Sequence, residues 1–347
     1  MNSDKPILLS GIKPTGELHI GNYFGAIRQQ LELFKSGEYT CYIMIADYHA
    51  LNFVQDAAKM REEILELAMG YMAVGLDPEH LVLFKQSDVP AHTELAWIFD
   101  TLTTMPYLMR AHAFKDAEAK SKEISVGTFN YPMLMAADIL LYDAAIVPVG
   151  QDQKQHVEIA RDTAEKFNRT FTPPNFKKVT IFSDKDTRAA LDASVLDKEP
   201  TFFKLPEAHI MPEVAVVPGI DGQKMSKSYS NTIPLFASRD LLTERVMSIV
   251  TDSSGDRPEN VYAIHRLLKT EAELAPLYAQ NEGKYKALKE ALVEDLDTFI
   301  APMRMRYEEL KRNPEAILEV LQKGGEAARA VTDAKMQQVK RAIGVSA

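Results

Sequence analysis

Cysteine is almost missing from this chain: among 347 residues there is one, Cys41. An internal disulfide is thereby excluded, and a lone thiol cannot by itself hold zinc or an iron–sulfur cluster, so no structural metal is expected. Its place in the apolar run CYIMIAD marks it as a core residue. Also absent is any run of about eighteen uncharged apolar residues, so no membrane-spanning helix is expected. The opening MNSDKPILLS has neither the basic region nor the apolar stretch of a secretory signal, which makes the cytoplasm the expected compartment. Positive charge is in deficit, with 40 Lys and Arg against 49 Asp and Glu and a net charge of −9. That argues against a tight nonspecific DNA binder, because phosphate contacts need cations. It still leaves room for a local basic strip that meets one selected RNA. Internal repeats and low-complexity segments are lacking too.

What is present is the balance of a folded protein, 46% apolar and 26% charged, at a length that favours about two domains. The first half alternates short apolar runs with amphipathic stretches, the pattern of a parallel sheet wrapped by helices. Strands are expected at Ile7 to Gly11, in CYIMIAD, in LVLFK and in AIVPVG. Helices are expected at Asn22 to Lys35, Ala57 to Val74, Ala91 to Leu102, in YPMLMAADILLYD and from Gln151 to Asn168. Gly37 and Gly75 end two of them. The polar stretch from Ala113 to Gly127 reads as a mobile loop near the carboxyl edge of the sheet. Thr170 to Lys204 reads as a surface insertion. After Ser238 the β-type runs vanish, and Asn313-Pro314 has the chemistry of a helix start. The expected division is a sheet domain over residues 1–235 and an all-helical one over 236–347.

Two segments carry chemistry. In SGIKPTGELHIGNY, Ser10 to Tyr23, a strand gives way to a helix, where free N–H groups can receive an anion. Gly11 and Gly16 permit tight turns, Gly21 permits close approach of a nucleotide, and His19 and Asn22 stand three apart, ready to donate hydrogen bonds. The glycine spacing fits neither a P-loop nor a dinucleotide fingerprint. In GIDGQKMSKSYSN, Gly219 to Asn231, Lys224 and Lys227 can bend onto one polyanion, with serines beside them as further donors.

HIGN and KMSKS, in this order and separation, resemble the two signatures of class I aminoacyl-tRNA synthetases. The resemblance implies a Rossmann-like catalytic domain followed by a helical domain that binds the tRNA anticodon. His19 and Asn22 would face the reacting phosphate, Gly21 would lie against the adenosine, and Lys224 and Lys227 would hold the leaving pyrophosphate. Lys13, Pro14 and Thr15 of the first loop, and Met225, Ser226 and Ser228 of the second, would complete the ATP contacts. The family commonly has glutamine at the place of Lys13, so this loop carries an added charge.

YPMLMAADILLYDAAIVPVGQDQKQH, Tyr131 to His156, resembles the tryptophanyl branch of that family. The resemblance makes Asp138 the acceptor of the indole N–H. It lines the amino-acid pocket with Tyr131, Met135, Val147, Val149 and Gln153, and assigns Gly150, Gln151, Asp152 and Ile210 to ATP. The chemistry agrees: indole nitrogen is a donor only, and an ionised carboxylate is an acceptor only. The sister tyrosyl branch shares the fold and both signatures, but MAAD followed by VPVGQDQKQH argues against it. A nucleotidyltransferase of the same superfamily that does not act on tRNA would usually lack KMSKS and the long helical domain, and a synthetase paralogue that binds tRNA without charging it is a third alternative. Implied substrates are L-tryptophan, ATP with Mg2+ on its triphosphate, and the tRNA for tryptophan, handled by a homodimer. Arg304, Lys311, Arg312 and Lys340 are the basic side chains expected to meet the tRNA.

Overall fold

The computed structural model describes residues 5–14, 16–119, 123–172, 201–210, 216–251 and 257–346. Strands β1 (Ile7–Ile12), β2 (Thr40–Ile45), β3 (Val82–Lys85), β4 (Ile146–Val149) and β5 (Glu207–Ile210) form one parallel sheet in the order β3-β2-β1-β4-β5. In its register Leu8 stands opposite Cys41 on one side and Ile146 on the other. The central strands are apolar almost throughout because helices cover both faces. Strand order reverses between β1 and β4, and at such a switch point the loops leaving the two strands part and open a crevice at their carboxyl ends. The sequence reading missed β5. Its EAHI alternates exposed and half-buried positions, the signature of an edge strand paired on one side only.

Helix α1 (Ile20–Asn22) continues through a π turn, Tyr23–Ile27, into α2 (Arg28–Lys35), and Gly37 turns the chain away at φ +73°. Next come α3 (Asp47–Ala50), α4 (Ala57–Ala73), α5 (Ala91–Leu102), α6 (Met105–Leu108), α7 (His112–Ala119), α8 (Val126–Leu140) and α9 (Lys154–Phe171). The expected loop from Ala113 to Gly127 is therefore largely helical: α7 takes its first part, and Val126 and Gly127 open α8 under a Ser125 cap. The alanines, lysine and glutamate of α7 favour a helix, and Phe114 meets Phe129 of α8 edge-on at 5.5 Å, which holds it in place. Of the expected insertion, residues 173–200 lie outside the described residues. At its far end Phe203 is buried against Phe99 and Phe167.

Beyond Ser238 the described chain is helical: α10 (Arg239–Met247), α11 (Glu259–His265), α12 (Glu271–Gln280), α13 (Tyr285–Lys311) and α14 (Pro314–Ala342). As the sequence suggests, Asn313 caps α14, its Oδ1 accepting from the Ala316 N–H at 3.3 Å with Pro314 in the first turn. Two apolar clusters cover the two faces of the sheet. One joins Leu8, Ile43 and Leu83 to Leu292, Ile300 and Ile317; the other joins Leu9, Met44 and Phe84 to Phe167, Ala328 and Val339. Helix α14 contributes to both, so it crosses the open edge of β3. Gly324 meets the Leu83 carbonyl so closely there that no side chain would fit. Among the described residues no helix is long and apolar enough to cross a membrane.

Candidate functional site

The crevice at the switch point holds two adjoining cavities. On one side, His19 caps α1: its Nδ1 accepts from the Asn22 N–H at 3.3 Å, while Asn22 Oδ1 accepts from the His19 N–H at 3.1 Å. Burial, helped by the Lys227 charge, lowers the His19 pKa to about 4, so the ring is neutral at pH 7. With Nδ1 accepting, the proton sits on Nε2, which makes it the donor. A side chain at Gly21 would come within 2.9 Å of that Nδ1 and 3.2 Å of Met225 Cβ, so glycine here makes room for the imidazole and the signature methionine.

The second signature is tied down by one buried side chain. Asn231 accepts from the Ser226 N–H at 2.7 Å and donates to Asp221 Oδ1 at 2.7 Å and to the Lys224 carbonyl at 3.1 Å. Ser226 caps the short turn Lys227–Tyr229, its Oγ accepting from the Ser228 N–H at 3.3 Å, and Ser230 leaves that turn with a left-handed φ of +52°. Met225 is buried, whereas Lys224, Lys227 and Ser228 are exposed. Lys227 Nζ donates to the Gly16 carbonyl at 2.9 Å and so joins segments 211 residues apart. Between them lies a cavity of about 320 Å³ lined by Lys13, Asn22, Gln30 and Lys227 on its polar side and by Ile12, Leu18 and Leu67 among its apolar residues; His19 and Lys224 stand beside it and are not in its lining. Pro14 is buried beside it in sequence, and Thr15 lies outside the described residues.

The other cavity, about 240 Å³, is closed by the ends of β1, β2 and β4 and by α8. Tyr131, Met135, Asp138, Val147, Val149 and Gln153, proposed from sequence as one pocket, all line it. Gly150, Gln151 and Asp152 form the turn after β4, with the Asp152 side chain outside the described residues. Ile210 ends β5 opposite Val149. Tyr131 donates its hydroxyl to Gln153 Oε1 at 3.1 Å and meets His49 edge-on at 4.9 Å.

Asp138 sits on the buried face of α8 with three side-chain donors around it. His49 Nε2 lies 2.8 Å from Oδ2, and His92 Nδ1 and Gln86 Nε2 lie 2.6 and 2.7 Å from Oδ1. His92 Nε2 in turn stands 3.0 Å from the Tyr142 hydroxyl. Burial pushes the carboxyl pKa up, but the bonds from His49 and His92 outweigh it and bring it to about 2, so Asp138 is ionised at neutral pH. The sequence reading missed these partners. For His49 and Gln86 the available signal was their address, in DYHA just after β2 and in QSD after β3, at the carboxyl ends where sites gather; His92, on α5, had no such signal.

Of the basic residues expected to meet tRNA, Arg304 donates to the Ala237 carbonyl at 2.8 Å and to Asp297 at 2.9 Å, and Lys340 pairs with Glu94 at 2.8 Å. Lys311 and Arg312 are exposed at the end of α13.

The family described as tRNA synthetases class I (W and Y) matches residues 1–322. A tryptophan–tRNA ligase from Fusobacterium nucleatum is 40% identical over 345 residues, covering 97% of each chain. Among solved structures, tryptophanyl-tRNA synthetase from Campylobacter jejuni complexed with ADP and tryptophan superposes with a TM-score of 0.83 at 39% identity, covering 97% of this chain and 99% of that one. The Mycoplasma pneumoniae enzyme gives 0.73 at 25% identity, with 98% of each chain covered.

Proposed function

We propose the following course of reaction for this chain, which belongs to the class I tRNA synthetases for tryptophan and tyrosine. It activates L-tryptophan with ATP to tryptophanyl-AMP and pyrophosphate, then passes tryptophan to the 3′ end of its tRNA. The carrying observation is an ionised, immobilised Asp138 in the lining of one cavity, with the two signature segments around the next. A carboxylate offers about four acceptor positions. Three are engaged by His49, His92 and Gln86, and the remaining one suits the single donor of an indole.

In the first step the tryptophan carboxylate attacks the α-phosphate in line. It is already deprotonated at neutral pH, so no general base is needed and catalysis rests on positioning and charge. His19 Nε2–H and the Asn22 amide donate to the reacting phosphate, and Lys224 and Lys227 follow the charge that grows on pyrophosphate. Gly150 to Asp152 and Ile210 flank the adenosine. Magnesium would come with the triphosphate, as part of the ATP substrate, and would neutralise charge on its oxygens. The terminal ribose hydroxyl of the tRNA then attacks the adenylate carbonyl. Residues 236–347 hold the anticodon, with Lys311 and Arg312 better placed than Arg304 to meet phosphate, and the enzyme works as a cytoplasmic homodimer.

ATP–pyrophosphate exchange, run with each of the twenty amino acids in turn, tests the reading. Exchange should require tryptophan and magnesium. Exchange driven best by tyrosine, or by no amino acid, would overturn it.

A further inference from the structure

We propose that Lys13 is a catalytic residue that touches both substrates at once, its ammonium bridging the attacking carboxylate of tryptophan and the α-phosphate of ATP. The proposal rests on the activation reaction above and on one juxtaposition. Among the described residues, the linings of the two cavities share only Gly11 and Lys13, and glycine has no side chain. Lys13 therefore stands where the contents of the two cavities must meet.

Two anions come together at that point. As the carboxylate oxygen forms its bond to the α-phosphorus, the bond from phosphorus to the pyrophosphate oxygen breaks and its electron pair leaves with pyrophosphate; no proton moves. Repulsion between carboxylate and phosphate opposes the approach, and a cation between them removes it at the moment the new bond forms. An ammonium has three donors, enough for a carboxylate oxygen and a non-bridging phosphate oxygen together.

The head group is also held in place. Lys13 Nζ lies 5.2 Å from the centre of the Phe53 ring and 5.8 Å from that of Tyr131, between two aromatic faces that attract a cation. Tyr131 is fixed in turn by Gln153 and His49. Lys227 lies on the other side: it lines the cavity between the signatures and not that of Asp138, and it bonds to the Gly16 carbonyl. The cations thus divide, Lys13 at the entering group and the signature lysines at the leaving group.

Lys13→Met keeps the length of the stem and removes its charge, and Lys13→Arg keeps the charge. For both, exchange kinetics are measured together with calorimetric binding of tryptophan and of L-tryptophanamide, which lacks the carboxylate. Lys13→Met should lower kcat by on the order of 100-fold and weaken tryptophan several-fold while leaving tryptophanamide binding unchanged, whereas Lys13→Arg should stay within about tenfold of the parent rate. A kcat for Lys13→Met within roughly threefold of the parent, or equal weakening of both ligands, would overturn the role. Tryptophan-dependent exchange by the unaltered enzyme is recorded first. Its absence would remove the reaction itself, while its presence beside an unaffected Lys13→Met removes only the role of Lys13.

Discussion

The two cavities that meet at Lys13 are built on opposite plans. Around Asp138 the fixed groups are side chains bonded to side chains, all buried: His49, Gln86 and His92 on the carboxylate, with Tyr142 behind His92. Around the signatures the fixed groups are backbone, held by the mutual cap of His19 and Asn22 and by the Asn231 strut, with Lys224 exposed and Lys227 reaching across to the Gly16 carbonyl. The difference follows from the two tasks. Rejecting a similar amino acid requires an acceptor that cannot turn away or take up water. Stabilising charge that appears only in the transition state requires donors set in advance and cations able to follow the departing group.

Asp138→Ala should break the first plan most severely. It strands three buried donors as well as the indole, so stability should fall by roughly 3–5 kcal/mol in urea unfolding. Preference for tryptophan over phenylalanine in exchange kcat/KM should shrink by on the order of 10⁴-fold, with the apparent ATP affinity nearly unchanged. Asp138→Asn keeps an acceptor oxygen and should lose less of both. An intact preference in Asp138→Ala would mean that another group reads the indole.

Lys224→Ala and Lys227→Ala address the second plan. Each should lower exchange kcat by about 10²–10³-fold with tryptophan binding preserved. If tryptophan affinity falls as far as kcat does, the two cavities do not act separately and the contrast fails.

Acid sharpens the comparison with a smaller effect. The His19 pKa lies at about 4 in the fold against an ordinary 6.5, so the unfolded chain takes up the proton first and stability declines between pH 6.5 and about 4, then levels. Asp138, at about 2 against 3.8, gives stabilisation that is complete above pH 3.8 and is lost as pH falls toward 2. The parent should therefore lose more stability than His19→Gln between pH 7 and 4, while the Asp138 network holds. Parallel curves for the two proteins in urea titrations would show that His19 is not desolvated.

Features written in neighbouring residues were legible from the sequence. Apolar runs between turn residues gave β1 to β4, Asn313-Pro314 gave the start of α14, and the two signatures gave one half of the crevice. Asp138 could be chosen because its segment resembles the tryptophanyl branch and because an indole, a donor only, calls for an acceptor. Its partners could not, since His49 is 89 residues away and His92 is 46, and only the folded sheet brings them together. The helix α7 was hidden for a related reason: it is short and its neighbours in sequence are polar, while the contact of Phe114 with Phe129 that holds it joins residues 15 apart on two helices.

The crossing of β3 by α14 also sets an order of manufacture. An uncovered strand edge carries a row of unanswered N–H and C=O groups that any neighbouring extended chain can join. During synthesis β3 emerges long before residues 314–342, and at ~20 residues per second or slower the interval is on the order of ten seconds or more. Throughout it the nascent protein shows a sticky border to its surroundings. The close seat of Gly324 on the Leu83 carbonyl closes that border, and the same helix seats Arg329 on the Asp88 carbonyl, two residues past Gln86, so the last long helix to be made covers both the strand edge and the turn behind the Asp138 network.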